Sequence, residues 1–407
     1  MHLRVAQHLQ GQADPDGTLA VELAQHASLG GDAATAARAC VMAAHRCLLV
    51  FAGAEAYVHA RRGLHYAETL SDPERLRLRL ELMRLKVLAR TPEDRRMEAA
   101  RIEALAEAAL DAGCPEHARL GFSTVSYLRW ESGAVDDAHR TSLRAEFATR
   151  GADDESRLLG VAEAARCLVI LEKDLPEAEA LLLEARAVSE RSGRASWAAS
   201  DGLGLLRMHG GELDEAEQAF KDAWTLARQA REHHQEFYSL EHLVQLSLLR
   251  GQQERATGYA RELVVIGDKL REGSEAPVAR ALLALCQYRA GGADSLGTLE
   301  DAIVKLRDVD AKQRLSFVLT QLALLEVGRG ELERAYAHAT EAVDLAEALE
   351  QASDVALAHA LLLRIARLQQ NEGELERHRE ALTRLHGYAY HVGAVVEREL
   401  QQLEAES

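Results

Sequence analysis

Apolar positions along most of the chain recur at helical spacing. Leu203 and Leu206 are followed by Leu213, Ala216, Phe220, Ala223 and Leu226, in steps of three and four interrupted by one longer gap. Such steps place an apolar stripe on one face of each of two consecutive helices. The same arrangement puts Leu240, Leu243, Leu246 and Leu249 before Ala256, Ala260 and Leu263, and Leu319, Leu322 and Leu325 before Ala335, Ala339 and Ala342. Each stretch predicts an amphipathic antiparallel pair. One hairpin cannot bury both stripes alone, so neighbouring pairs must stack into a continuous core.

A short motif punctuates the pattern: a small or turn residue, an apolar residue two places on, two polar residues, then alanine. It reads GDAATA at 31–36, GAVDDA at 133–138, KDLPEA at 173–178, GELDEA at 211–216, GQQERA at 251–256 and GELERA at 330–335, with weaker copies from Gly292 and Gly373. From Gly133 onward the copies lie about 40 residues apart, room for two helices and two turns. The glycine is expected to end the first helix in the left-handed conformation, and the acid after it to sit in the first turn of the second. The alanine marks a close helix crossing; Gly297 and His378 replace it in the two weak copies. Residues 71–132 are less regular. Ser71-Asp72-Pro73-Glu74 and Thr91-Pro92-Glu93-Asp94 read as helix entries and Gly113 as a stop, giving one more hairpin of divergent sequence. The expected organisation is divergent helical hairpins over 1–112 and a repeat array over 113–407.

These residues resemble the tetratricopeptide repeat. The match is fullest over 203–223, where Leu203-Gly204, Gly211, Ala216, Phe220 and Ala223 fall at that family's spacing, while the period near 40 departs from its 34. The longer helices look like the repeats of bacterial signalling regulators of the STAND ATPase class, including maltose-regulator-like activators and PknK-like kinases. Residues 19–70 look like the segment where those regulators pass into their helical array. The resemblance implies an all-α fold, a right-handed α-α superhelix of tetratricopeptide-like hairpins, and descent from the sensor arm of a larger protein. No G-x-x-x-x-G-K-[ST] loop and no kinase H-R-D or D-F-G set occurs, and residues 393–407 show no helix-turn-helix pattern.

Composition sharpens this picture in three places. Aromatics at 4% and only six prolines favour helix nearly everywhere. The net charge of −17 falls almost wholly in 113–407, so no direct nucleic-acid binding is expected, and neutral or basic partners are favoured. Cys40, Cys47, Cys114, Cys167 and Cys286 form no C-x-x-C pair, and no apolar run is long enough to span a bilayer, so a cytoplasmic chain without membrane attachment is expected.

Catalytic and metal chemistry find little support. His233-His234 point about 100° apart on a helix, and Cys40, His45 and Cys47 do not share a face, so no metal and no cofactor is expected. Asp136-Asp137 and Asp153-Asp154 read as helix-entry acids rather than a general acid and base. The run Arg75, Arg77, Arg79, Glu81 and Arg84 reads as a solvated helix edge. In the tetratricopeptide family the first helix of each hairpin lines a concave groove. Carrying those positions across gives Tyr127, Trp130, Glu163, Asp201, Tyr238, Glu241, Gln245, Phe317 and Thr320. The simpler reading of the aromatics is ordinary inter-repeat core. As groove residues, the three acids would select basic ligands, and Asp201 and Glu241 would be surface residues replaceable by lysine without loss of the fold. The expected function is a non-enzymatic regulatory sensor or interaction module that takes a peptide, a protein segment or a small inducer. The alternatives are a passive scaffold for a multiprotein assembly and, remotely, an α/α-barrel enzyme.

Overall fold

The computed structural model describes residues 1–12, 17–270, 273–292 and 294–385. Among them there is no strand, and twenty helices follow one another. The first ten are α1 His2–Gln10, α2 Ala20–Leu29, α3 Ala33–Leu49, α4 Gly53–Ala67, α5 Glu74–Ala89, α6 Arg95–Asp111, α7 Pro115–Glu131, α8 Val135–Ala148, α9 Asp154–Ile170 and α10 Leu175–Ser192. The others are α11 Trp197–His209, α12 Leu213–Ala230, α13 His233–Leu249, α14 Gln253–Leu270, α15 Glu275–Arg289, α16 Ser295–Asp308, α17 Lys312–Arg329, α18 Leu332–Ala348, α19 Ala352–Leu368 and α20 Glu372–Leu385. Two compact units result. Unit 1 holds Met1–Leu168, Pro176–Ala199 and Leu226–His233; unit 2 holds Val169–Leu175, Ser200–Thr225 and the described residues from His234 onward.

Within each unit, consecutive helices pair antiparallel, and odd-numbered helices also touch one another, α3 with α5 and α5 with α7 in unit 1, α15 with α17 and α17 with α19 in unit 2. Within each unit these odd helices therefore form a layer of their own, which is why their buried sets are broader than a single stripe. In α13, for example, Phe237, Leu240, Leu243, Val244, Leu246 and Leu248 are all buried. Packing runs without a break across residue 112, because Leu80, Ile102, Cys114, Phe122 and Leu128 belong to one core.

The motif marks helix turns as its chemistry requires. Gly31, Gly133, Gly211, Gly251 and Gly330 all have positive φ, and Ala36, Ala138, Ala178, Ala216, Ala256 and Ala335 are fully buried. Three details differ from the expectation. The motif at 31–36 leads into α3, an odd-layer helix, whereas from Gly133 onward it leads into even ones. Gly297 does not occupy the close crossing, since an added Cβ there would meet nothing within 4 Å. In the last copy the left-handed residue is Gln370, with φ 55°, and Gly373 lies inside α20. Non-glycine residues take this conformation at several other turns as well, including Arg231, Asp310 and Glu350. A Cβ is disfavoured there by about 1 kcal/mol, so the exposed Gln370→Gly should stabilise the last hairpin by about 0.5–1 kcal/mol in denaturant unfolding.

Both predicted entries of the divergent hairpin are present. Pro73 precedes α5, and the Asp94 carboxylate caps α6 by accepting from Met97 N–H at 2.8 Å. The five cysteines are free thiols, and burial pushes Cys40 and Cys286 up to about 11, which keeps them neutral. In unit 1 the turn after α3 meets the start of α13. The Phe51 and His233 rings stack at 3.7 Å and 15°, and His233 Nε2–H donates to the Leu49 carbonyl at 3.0 Å.

Candidate binding face

The candidate groove residues all lie on odd helices, but they divide between the two units. In unit 1, Tyr127 and Trp130 of α7 are half-buried with ring centroids 6.2 Å apart, and Tyr127 also packs on the core around Phe122. Glu163 of α9 is not a free acid. It receives a hydrogen bond from the Ser123 hydroxyl at 2.6 Å and an ion pair from the buried Arg119 guanidinium. Burial pushes its carboxyl up, and the charges of Arg119 and Arg84, with the Ser123 hydrogen bond, more than offset this and hold it below the ordinary value.

In unit 2, Asp201 of α11 is fully buried and lies 3.0 Å from His242 Nδ1 of α13, while the His242 ring packs on Phe220 at 5.0 Å. It is an internal partner rather than the surface residue expected. Glu241 is buried as well, and Arg314 of α17 binds it through both carboxylate oxygens, at 3.1 and 2.8 Å. Arg314 also pairs with Glu275 at 3.2 Å and bonds the Ser274 hydroxyl, and its guanidinium lies over the Phe237 and Tyr238 rings at 5.3 and 5.6 Å. Burial alone would weaken the Arg314 charge, but Glu241 and Glu275 raise its pKa well above the ordinary value. One cation from α17 thus ties α13 to the start of α15. Lysine at both 201 and 241 would place unpaired charge inside this framework, so the acids are not the replaceable surface that the sequence suggested.

With the carboxylates engaged internally, the candidate residues of unit 2 that keep exposed surface are neutral. Tyr238 and Gln245 of α13 and Phe317 of α17 are half-buried, Leu324 of α17 is 42% exposed, and Thr320 of α17 is buried. Tyr238 and Gln245 stand two turns apart on one face of α13, and Phe317 follows Arg314 by one turn on α17. Apolar rings and an amide on a fixed framework suit an extended polypeptide, whose side chains need apolar contact and whose backbone needs donors and acceptors.

Arg314, Arg119 and His242 were the residues that sequence reasoning missed. A signal for His242 and Arg314 existed in the repeat itself. Ser123 and Glu163, Asp201 and His242, Ser274 and Arg314 each stand 40 or 41 positions apart, so one period of the sequence brings equivalent polar positions into contact. Among the described residues no set of three or more His, Cys, Asp or Glu is arranged to hold a metal ion, and no helix is long and apolar enough to cross a membrane.

The architecture is that of the tetratricopeptide-like helical repeat proteins, an all-α array of stacked hairpins. A solved Rap protein in complex with Competence and Sporulation Factor is similar at a TM-score of 0.59 and 12% identity, over 86% of this chain and 98% of that one. A signal transduction ATPase with numerous domains and a tetratricopeptide repeat sensor, from Pyrococcus horikoshii, gives a TM-score of 0.44 and 14% identity over 86% of this chain and 53% of that one. This chain spans about half of the latter protein's length. No protein-family model matches the sequence, and no curated protein matches it.

Proposed function

We propose that the chain is a regulatory interaction module that captures a peptide or protein segment on the odd-helix face of unit 2. The observation that carries this reading is the Arg314 bridge. It engages Glu241 and Glu275 and fixes α13, α15 and α17, leaving Tyr238, Gln245 and Phe317 as neutral, partly exposed groups on a pre-organised framework. A rigid surface of this kind loses little entropy on binding. The Rap structure, solved with its factor bound, supports the same reading. Occupancy would be transmitted by a shift in how the hairpins outside the bridged set stack on it, as expected of a sensor arm in signalling or transcription regulation. A small inducer would use the same rings, and the free thiols suit a reducing cytoplasm. The scaffold reading is favoured by the density of ion pairs between hairpins, which fixes spacing whether or not a ligand is bound.

The two readings separate in one experiment. Peptides selected from a displayed random library against the wild-type protein are titrated against Tyr238→Ala/Phe317→Ala, with melting curves recorded in parallel. Loss of two ring contacts should weaken binding at least about tenfold. Equal affinity for both proteins sinks the proposed face, and failure to select any peptide favours the scaffold.

A further inference from the structure

Two histidines meet inside the α19–α20 hairpin of unit 2. His359 of α19 and His378 of α20 are 8% and 2% exposed, their Nδ1 atoms lie 3.0 Å apart, and their ring centroids stand 5.2 Å apart at 41°. His359 stands one period after Leu319, a fully buried leucine of α17, so an ionisable ring holds a place that hydrocarbon fills in the preceding hairpin. The apolar contact between the two helices is small. It joins Ala356, Ala360 and Leu363 of α19 to Leu382 of α20, with Leu357, Leu375 and Leu385 packed against it. Of α20 itself, His378, Ala381 and Leu382 are buried, so the histidine contact is a large part of what fixes this helix.

A hydrogen bond between two Nδ1 atoms needs one N–H and one bare lone pair. Two neutral rings meet this condition, one donating to the other. A single proton is tolerated as well: with His378 protonated, its Nε2 lies 3.2 Å from the Glu374 carboxylate and its Nδ1–H still donates to the His359 lone pair. A second proton turns both facing nitrogens into donors and sets two cations side by side away from water.

We propose that the His359–His378 contact is an acid-released latch, holding α20 on α19 while at least one ring is neutral and opening when both are protonated, which uncovers Ala356, Ala360 and Leu363. Burial, followed by the charges of His378, Arg377 and Arg384, holds His359 down at about 4, and burial depresses His378 although the Glu374 carboxylate opposes it. The ordinary histidine value is 6.5, so between about 6.5 and about 4 the released hairpin takes up protons that the closed one refuses. Closure is therefore at full strength above that interval and weakens as pH falls through it.

The groups around the pair act in known directions. On α20, Arg377 and Arg384 oppose the second proton, while Glu374 favours the first on His378. From α18, the Tyr336 hydroxyl donates to Glu374 at 3.3 Å, Glu341 is paired with Arg307, and His338 with Glu326 of α17. Also on α17, Arg314 is paired with Glu241 and Glu275, and Arg329 lies over the Tyr288 ring. On α19, Arg364 is exposed, and burial pushes Asp354 in the first turn up to about 6. Glu172, which caps α19 by accepting from Ser353 N–H at 2.9 Å, is pushed up to about 8 by burial. Raised carboxyls bind protons more tightly when packed, so release in acid does not arise from them.

The test is amide hydrogen exchange at pH 7 and pH 5 on the full chain, with rates corrected for intrinsic exchange. In the wild type, protection of the Leu382 amide in α20 should fall at least about tenfold at pH 5, while that of Leu243 in the α13 core stays the same. His359→Leu restores the residue that stands one period earlier, and His359→Gln keeps an acceptor oxygen for His378 Nδ1–H. Neither side chain takes the second proton, so in both variants most of the fall at Leu382 should disappear. The latch is overturned if wild-type protection at Leu382 does not change, if Leu243 loses protection equally, or if either variant that protects Leu382 at pH 7 keeps the full fall at pH 5.

Discussion

Arg314→Met should destabilise unit 2 by about 3–5 kcal/mol, the largest single loss expected in the chain. Methionine fills much of the space of the arginine stem but leaves Glu241 and Glu275 buried beside each other with no cation, and stranded charge of this kind carries that cost. It also removes the guanidinium from the faces of Phe237 and Tyr238. Adding Glu241→Gln to Arg314→Met should recover part of the loss, because one stranded charge disappears. Arg314→Lys should fall between wild type and Met, since an ammonium keeps the charge but cannot bind Glu241 through two parallel hydrogen bonds. Thermal and urea unfolding of the four proteins checks the order. A Met variant as stable as the wild type would show that the bridge does not hold the face together.

Gly204→Leu should also be severe, at about 3 kcal/mol, and for a reason opposite to helix propensity. Glycine inside α11 is a poor helix former, yet a Cβ at this position would come within 2.5 Å of two ring atoms of Phe220. That ring is fully buried and packs against His242, the partner of Asp201, so it has no free direction in which to move. Gly258, inside α14 with nothing within 4 Å of an added Cβ, supplies the contrast. Gly258→Ala should stabilise by up to about 1 kcal/mol. The measurement is the unfolding midpoint of both variants, and a Gly204→Leu protein at or above the wild-type midpoint would remove the close crossing.

The fold was legible in the sequence because its causes are local. Apolar spacing sets the helices, Pro73 and Asp94 start two of them, and left-handed glycines such as Gly211 stop others, each acting within a few residues of its own position. The close crossing was legible too, since the motif alanine, Ala216 and its counterparts at 36, 138, 178, 256 and 335, recurs along the chain and every copy is fully buried. Repeat position also fixes the layer, so the nine candidate residues were legible as residues of odd helices.

The fate of the charges was not. Asp201, Glu163 and Glu241 carry no local mark that distinguishes a ligand-facing acid from one buried against a neighbour; that depends on what stands one period away, and for Glu241 on Arg314 almost two periods away. Glu172 is further still from the helix it caps. The sequence by itself determined helices, turns and their stacking order, since these follow from interactions across a few residues. The tertiary structure alone decided which carboxylates are exposed and which are paired, because Coulomb energy and desolvation depend on distance in space and on exclusion of water, which the order of residues along the chain does not record.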